Sequence, residues 1–299
     1  MSASTIPVAV IINPKAGRSS RSATRHKLAE IAHDACAEVD LPCGVAFTEY
    51  PGHGRVLATN FVRRGFSPIV AWGGDGTVNE VASALVFQNA VMGIVPSGSG
   101  NGLARELGIS ARPDRAMVTA VRGRDRRIDV GQLGSRFFVN VAGVGLAASV
   151  AHRFERLRGR GLLRYVQAIL LQLFNLVAEG YAITIDGETI QQSALLVELA
   201  NGRQYGNGAL IAPDAKLDDG LLELVVVKPI GPLTALWSAR RLFNGTIGRD
   251  PRVQMKSIRH ATITSLRPLA FHVDGEVGQG DVSLAAVIHK GALRVRVPG

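Results

Sequence analysis

Four short strand-like runs, IPVAVIIN (6–13), VAFTEY (45–50), PIVAW (68–72) and VMGIVP (91–96), are each followed by helix-forming sequence. That alternation leaves little choice of fold. Continuously apolar strands are buried on both faces, and strands separated by helices pair in parallel. The first helix is expected to start near Ser19 or Ser20, a second to run through Arg63, and TVNEVASALV to form a third. Ligands of such sheets bind at the carboxyl ends of the strands. Three glycine-bearing loops fall there: NPKAGR (13–18), GGDGTVNE (73–80) and PSGSGNGLA (96–104).

Gly73, Gly74 and Gly76 let backbone approach a ligand closely, and the helix opened by Thr77 offers N–H groups to an anion. Asp75 is out of place beside phosphate unless it orients a magnesium ion, a water or donor groups around the phosphates. Asn79 and Glu80 are expected on the first turn, facing the same loop. In the third loop Ser97 and Ser99 supply hydroxyls, and Asn101 is expected to cap the next helix. Arg18 is expected to point at the mouth of the site. Neither GxxxxGK[ST] nor a spaced GxGxxG occurs, which removes P-loop and Rossmann dinucleotide readings.

After Arg122-Gly123-Arg124 the pattern changes. RRIDVGQL, RFFVNVAGVG, YAITIDGETI, SALLVELA, GLLELVVVK, ATITSL, LAFHVDGE, SLAAVIHK and LRVRVP are short strands bounded by Gly, Asp, Asn or Pro, with helices only near 161–178 and 231–244. This predicts an antiparallel, sandwich-like β domain. The division is an α/β domain over 1–125 and a β-rich domain over 126–299.

A formal charge of +10 permits partners of opposite sign: nucleic acid, an anionic membrane or polyphosphate. Nucleic acid is disfavoured, because no recognition helix, zinc finger or aromatic–basic RNA signature is present. The apolar stretch GLLRYVQAILLQLFNLVA carries Arg164, Gln167, Gln172 and Asn175 within one arc of about 140° at helical spacing. It reads as an amphipathic rather than a spanning helix. The arginines before it, Arg153, Arg156, Arg158 and Arg160, favour an anionic lipid surface. No basic stretch precedes the first apolar run, so no signal peptide is expected, and Cys36 and Cys43 are read as reduced thiols.

NPKAG, GGDGTVNEV, PSGSGNGLAREL, IDVG, FVNVAGVG, APDAKLDDGLLEL and VDGE occur in this order over nearly the whole chain. In this the sequence resembles the diacylglycerol kinase-type lipid kinases, which include phosphatidylglycerol kinase-like and sphingosine kinase-like members. The resemblance implies a cytoplasmic, peripherally membrane-associated enzyme that moves the γ-phosphate of ATP to a lipid hydroxyl, and it allows a homodimer. It implies ATP contacts from Asn13, Pro14, Lys15, Ala16 and Gly17, from Thr48, from Gly74, Asp75, Gly76, Thr77, Val78, Asn79 and Glu80, and from Ser99. It makes Glu276 the proton acceptor, with Asp274 and Asp129 in its carboxylate network. It implies Mg2+ held by Asp219 with the carbonyls of Lys216 and Leu221.

The residues agree on their own terms. Phosphoryl transfer needs positioned phosphates, a divalent cation and a carboxylate near the acceptor hydroxyl. Two departures stand out. Leu146, Ala147 and Ala148 follow FVNVAGVG where the family often has an acidic residue, and Arg158, Arg160 and Arg164 compete as the basic residue of the following segment. His272 reads as a plain strand residue. Two rivals remain: an NAD kinase, which shares the GGDGT loop, and a non-catalytic nucleotide or lipid sensor.

Overall fold

Five consecutive aliphatic residues, Val8–Ile12, form β1, and all five are buried. The structure, a computed structural model, describes residues 6–16, 22–145, 178–206 and 208–299. Its chain divides into two compact units, 1–128 with 291–299, and 129–290.

In the first unit β1 is followed by α1 (Ser22–Ala37), β2 (Cys43–Phe47), α2 (His53–Arg63), β3 (Ile69–Gly73), α3 (Asp75–Leu85), β4 (Val91–Pro96), α4 (Gly102–Glu106) and α5 (Pro113–Arg122). The strands pair in parallel in the order β2-β1-β3-β4, with Val10 opposite both Val45 and Val70. β1, β3 and β4 are buried throughout, as their unbroken apolar runs predict. β2 begins two residues before the expected VAFTEY, because Cys43 pairs with Val8.

The second unit takes the end of β5 (Arg124–Leu133), then β6 (Arg136–Phe138), β7 (Val141–Gly145), β8 (Glu179–Ile185), β9 (Glu188–Ala194), β10 (Leu196–Ala200), β11 (Gln204–Gly206), β12 (Ala209–Leu210) and β13 (Leu222–Val227). There follow α6 (Pro232–Phe243), β14 (Val253–Ile258), β15 (His260–Ser265), β16 (Ala270–Val273), β17 (Glu276–Gln279) and β18 (Ser283–Val297). Six strands form an antiparallel sheet in the order β14-β13-β10-β7-β16-β17. A second antiparallel set places β15 between β8 and the first part of β18, with β9 outside β8. Val197, Leu199, Leu224, Phe271 and Val273 from one sheet pack with Tyr181, Ile183, Ile263 and Ala286 from the other. The opposite face of the six-stranded sheet is also covered. Val141, Ala200 and Val225 pack there against Ile211, Ala212, Ala215 and Ile247.

Against the expected boundary near 125, the two compact units divide at 128/129, and the last nine residues return to the first unit. The reason lies in β18. SLAAVIHK and LRVRVP are one strand, not two; Gly291, at φ 60, lies within it, and beyond it Arg294 and Val295 pair in parallel with Val91 and Met92 of β4. The expected helix at 231–244 is α6, whereas the one at 161–178 lies almost wholly outside the described residues. No helix among the described residues is long and apolar enough to cross a membrane.

A buried acid anchors the segment after α6. Asp250 is 1% exposed, accepts hydrogen bonds from Arg252 and from Ser238 (2.7 Å), and is held down to a pKa of about 2, chiefly by Arg252. A depressed carboxylate contributes stability that is present above its unfolded pKa and lost as pH falls through the folded one. Asp250→Asn is expected to cost roughly 2 kcal/mol near neutral pH and to flatten the stability curve between about pH 4 and about pH 2. Urea unfolding followed from neutral pH down through that range measures both effects.

Candidate active site

The end of β3 and the end of β4 meet through glycine. A Cβ on Gly98 would stand 2.6 Å from the Cα of Gly74, so the two loops touch backbone to backbone and only glycine allows it. Ser97 N–H donates to the Gly73 carbonyl at 2.8 Å. Gly74 precedes α3, whose first residue is Asp75.

Asp75 itself explains how a carboxylate stands beside a phosphate loop. Its Oδ2 accepts the N–H of Asn101 at 2.9 Å and its Oδ1 the N–H of Gly102 at 2.7 Å. Asp75 therefore orients donor groups of the neighbouring loop and caps α4. The expected cap, Asn101, does something else: at φ 52 it turns its amide back onto Gly98, donating to the carbonyl and accepting the N–H, both at 2.9 Å. A left-handed Asn with a local side-chain bond is cheap where other residues are strained.

The first strand end joins the same cluster. Asn13 Nδ2 donates to Thr77 Oγ1 at 3.0 Å, and Asn13 Oδ1 accepts the N–H of Lys15 at 2.9 Å. Thr48 N–H extends the ladder to the Ile12 carbonyl at 2.9 Å. Gly74, Asp75 and Gly76 are partly open, Ser99 is exposed, and Thr77, Val78 and Asn79 are buried. Glu80 departs from its expected orientation towards the loop: its carboxylate accepts the N–H groups of Gly52 and Gly54, each at 2.7 Å, at the start of α2. That is where a negative charge is favoured by the helix dipole. Gly17 and Arg18 lie outside the described residues. The Ser97 hydroxyl is buried and has no hydrogen-bond partner among the described residues.

In the second unit the chemistry gathers at the hairpin between β16 and β17. Asp274 (φ 47) and Gly275 (φ 88) form a two-residue turn of the kind that Asp-Gly favours. The Asp274 carboxylate accepts the N–H groups of Val139 (2.8 Å), Asn140 (2.9 Å) and Val141 (3.1 Å). Glu276, the next residue, pairs with Arg136 at 2.7 Å, and Arg136 also donates to the Val277 carbonyl at 3.1 Å. The aim of both acids is thus fixed by β6 and the turn after it.

Asp129 is fully buried. Its Oδ2 accepts the N–H of Gly220 at 2.6 Å, which holds the 216–221 turn in place. Asn201 supplies the tie between these acids: its Nδ2 donates to the carbonyls of Asp129 (2.9 Å) and Val139 (2.8 Å). Arg136, Asn140 and Asn201 escape a reading of the sequence, although an Asn directly after the apolar run LVELA is a signal that could have drawn attention. In the 216–221 turn Asp219 Oδ1 accepts the N–H of Leu221 at 3.0 Å. Among the described residues no group of three or more His, Cys, Asp or Glu is arranged to hold a metal. One carboxylate with main-chain carbonyls is nonetheless an all-oxygen set that suits a hard cation keeping several waters.

A parallel sheet with touching glycine loops, and a β-sandwich with an acidic hairpin turn, are the parts of a phosphotransferase of the diacylglycerol kinase type. The chain belongs to that family. The model of the diacylglycerol kinase catalytic domain matches residues 7–133, and that of the YegS C-terminal NAD kinase beta sandwich-like domain matches 140–297. A protein of Chromohalobacter salexigens named "Probable lipid kinase YegS-like" is 37% identical over 186 residues, which is 59% of each chain and less than two thirds of that relative's length. Its namesake in Yersinia enterocolitica is 32% identical over 237 residues, 77% of this chain and 78% of its own. A crystal structure of a diacylglycerol kinase from Bacillus anthracis str. Sterne superposes with a TM-score of 0.74 at 20% identity, over 99% of this chain and 98% of that one. At that identity the likeness concerns the fold alone.

Proposed function

We propose that the protein is a lipid kinase that transfers the γ-phosphoryl group of ATP to a hydroxyl of a membrane lipid, diacylglycerol or a relative of it. The observation that carries this reading is the acidic hairpin. Asp274 is locked by three backbone donors and Glu276 is aimed by Arg136, one residue past the turn. Glu276 accepts the proton of the attacking hydroxyl, and Arg136 keeps its carboxylate from swinging away. Asp274 holds the turn to the 139–141 backbone and adds negative charge beside the acceptor.

On the nucleotide side the start of α3 and the loop after β4 offer N–H groups to phosphate oxygens. Asp75 contributes by fixing the backbone of Asn101 and Gly102, its own charge being met by their N–H groups. Magnesium, held at Asp219 with the Lys216 and Leu221 carbonyls, would supply positive charge in the second unit when bound. Approach to the lipid is electrostatic. A net charge of +10, with the arginines of 153–164, favours an anionic bilayer, an attraction that salt screens within a Debye length. Residues 153–164 lie outside the described residues, so that arginine contribution rests on sequence.

A second reading, phosphorylation of NAD, is favoured by one finding, the match of 140–297 to an NAD kinase beta sandwich-like domain. One assay separates the readings. Labelled ATP is supplied with NAD, with neutral vesicles of diacylglycerol in phosphatidylcholine, and with the same vesicles containing phosphatidylglycerol. The expected result is label in the lipid fraction, more on the anionic vesicles and less at high salt, with none in NAD. Label in NAD alone overturns the proposal, and no label in any product leaves a sensor.

A further inference from the structure

The strands β10, β7 and β16 are neighbours in the six-stranded sheet, with Glu198 opposite Gly143 and Gly143 opposite His272. Their outer backbones are two strand spacings apart, roughly 10 Å. The Glu198 and His272 side chains nevertheless meet across the middle strand, Oε1 to Nε2 at 3.1 Å. Gly143 is what makes room, because a Cβ there would lie 2.5 Å from the Glu198 carboxyl carbon.

Glu198 is 0% and His272 3% exposed. The Tyr205 hydroxyl donates to Glu198 Oε1 at 3.3 Å, and its ring stands edge-on to the imidazole. A buried pair of this kind is weak evidence for stability, because apolar residues of similar volume often serve a buried site as well or better. Its place along the chain suggests another use. Val273 points into the sandwich core, so His272 leaves β16 on the other face, and Asp274, the first turn residue after the strand, is close enough for its charge to act on the imidazole.

We propose that Glu198 and His272 are positioning residues for Asp274: joined across Gly143, they anchor β16 two residues before the acidic turn and couple the imidazole electrostatically to its carboxylate. Among the described residues the titratable groups facing His272 are Glu198, Tyr205 and Asp274. Burial works to lower the His272 pKa, but the Glu198 charge and hydrogen bond, helped by Asp274, carry it above the ordinary value. A raised folded pKa means that the pair is intact at low pH and is lost as pH rises through that value.

The rate arm of the test rests on the kinase reading; the spectroscopic arm does not. In the rate arm His272→Asn is expected to lower kcat about tenfold, as losses of outer-shell partners do, with KM for ATP unchanged. It should also remove the alkaline limb of the kcat profile, which Glu198→Gln should move to lower pH. In the spectroscopic arm the imidazole carbon shifts of the wild-type protein report the His272 titration by NMR. It is expected above the ordinary imidazole value, and lower in Asp274→Asn. A wild-type titration at or below the ordinary value overturns the proposal without need of any variant. So does a His272→Asn pH profile that superposes on the wild type. A protein that turns over no acceptor contradicts the kinase reading, and the NMR arm still decides the linkage.

Discussion

Glu276→Gln is expected to lower kcat by about a thousandfold, in the middle of the range for loss of a positioned general base, while leaving the fold almost as stable as before. Gln keeps one oxygen for Arg136, so the local geometry survives and only the proton-accepting charge is lost. The ion pair itself contributes little, because both partners are partly exposed, Arg136 at 31% and Glu276 at 41% of their side-chain surface. The measurement is a pair: steady-state kcat on a lipid acceptor, and the thermal midpoint. A variant that keeps wild-type kcat removes Glu276 from the chemistry. A collapse of the thermal midpoint would mean that the turn, not the proton, was lost.

Asp75→Ala should act on the nucleotide side through the loop after β4. It deletes both acceptors of the Asn101 and Gly102 N–H groups, and each buried donor left unmade costs about 1–3 kcal/mol. The loop then loses the backbone arrangement that meets Gly74, so KM for ATP is expected to rise at least about tenfold, a loss of roughly 1.4 kcal/mol or more. Gly98→Ala tests the same contact from the other side. Its new methyl would meet the Gly74 Cα at 2.6 Å, and backbone on both sides has little room to yield. Both variants are therefore expected to weaken ATP, read as KM or by titration of a fluorescent analogue, with the acceptor KM unaltered. Wild-type ATP affinity in both would mean that the paired loops do not hold phosphate. Asp75 is not a surface carboxylate that can be removed silently.

What a reader of the sequence sees well is what local pattern controls. β1, β3 and β4 announce themselves because burial on both faces demands unbroken apolar runs, and β4 has the limits of VMGIVP. The Asp-Gly pairs at 186–187 and 274–275 mark hairpins because they accept positive φ cheaply. β14 is missed, since VQMKSI lies at the edge of its sheet with polar residues on exposed positions. Gly291 reads as a break yet sits inside the longest strand, at the point where the chain passes between units.

The site divides in the same way. The glycine loops are legible, being strand ends with a composition that serves little else. What Asp75 holds is not, because its partners stand 26 and 27 residues away. Glu80 reads as a first-turn residue facing the glycine loop and proves to cap α2, 26 to 28 residues earlier. Glu198 and His272 are invisible as a pair until the strand order puts Gly143 between them.

The central claim, transfer of a phosphoryl group from ATP to a lipid hydroxyl by the acidic turn, is tested most directly by following the oxygen atoms. The protein is incubated with a total lipid extract and ATP labelled with heavy oxygen on its γ-phosphate, and the lipids are analysed by mass spectrometry. The predicted product is a lipid carrying heavy oxygens on a new phosphate and one ordinary oxygen from its own hydroxyl, formed by the wild-type protein and nearly absent with Glu276→Gln. Heavy oxygen appearing only in inorganic phosphate, or equal labelling of lipid by both proteins, would contradict it.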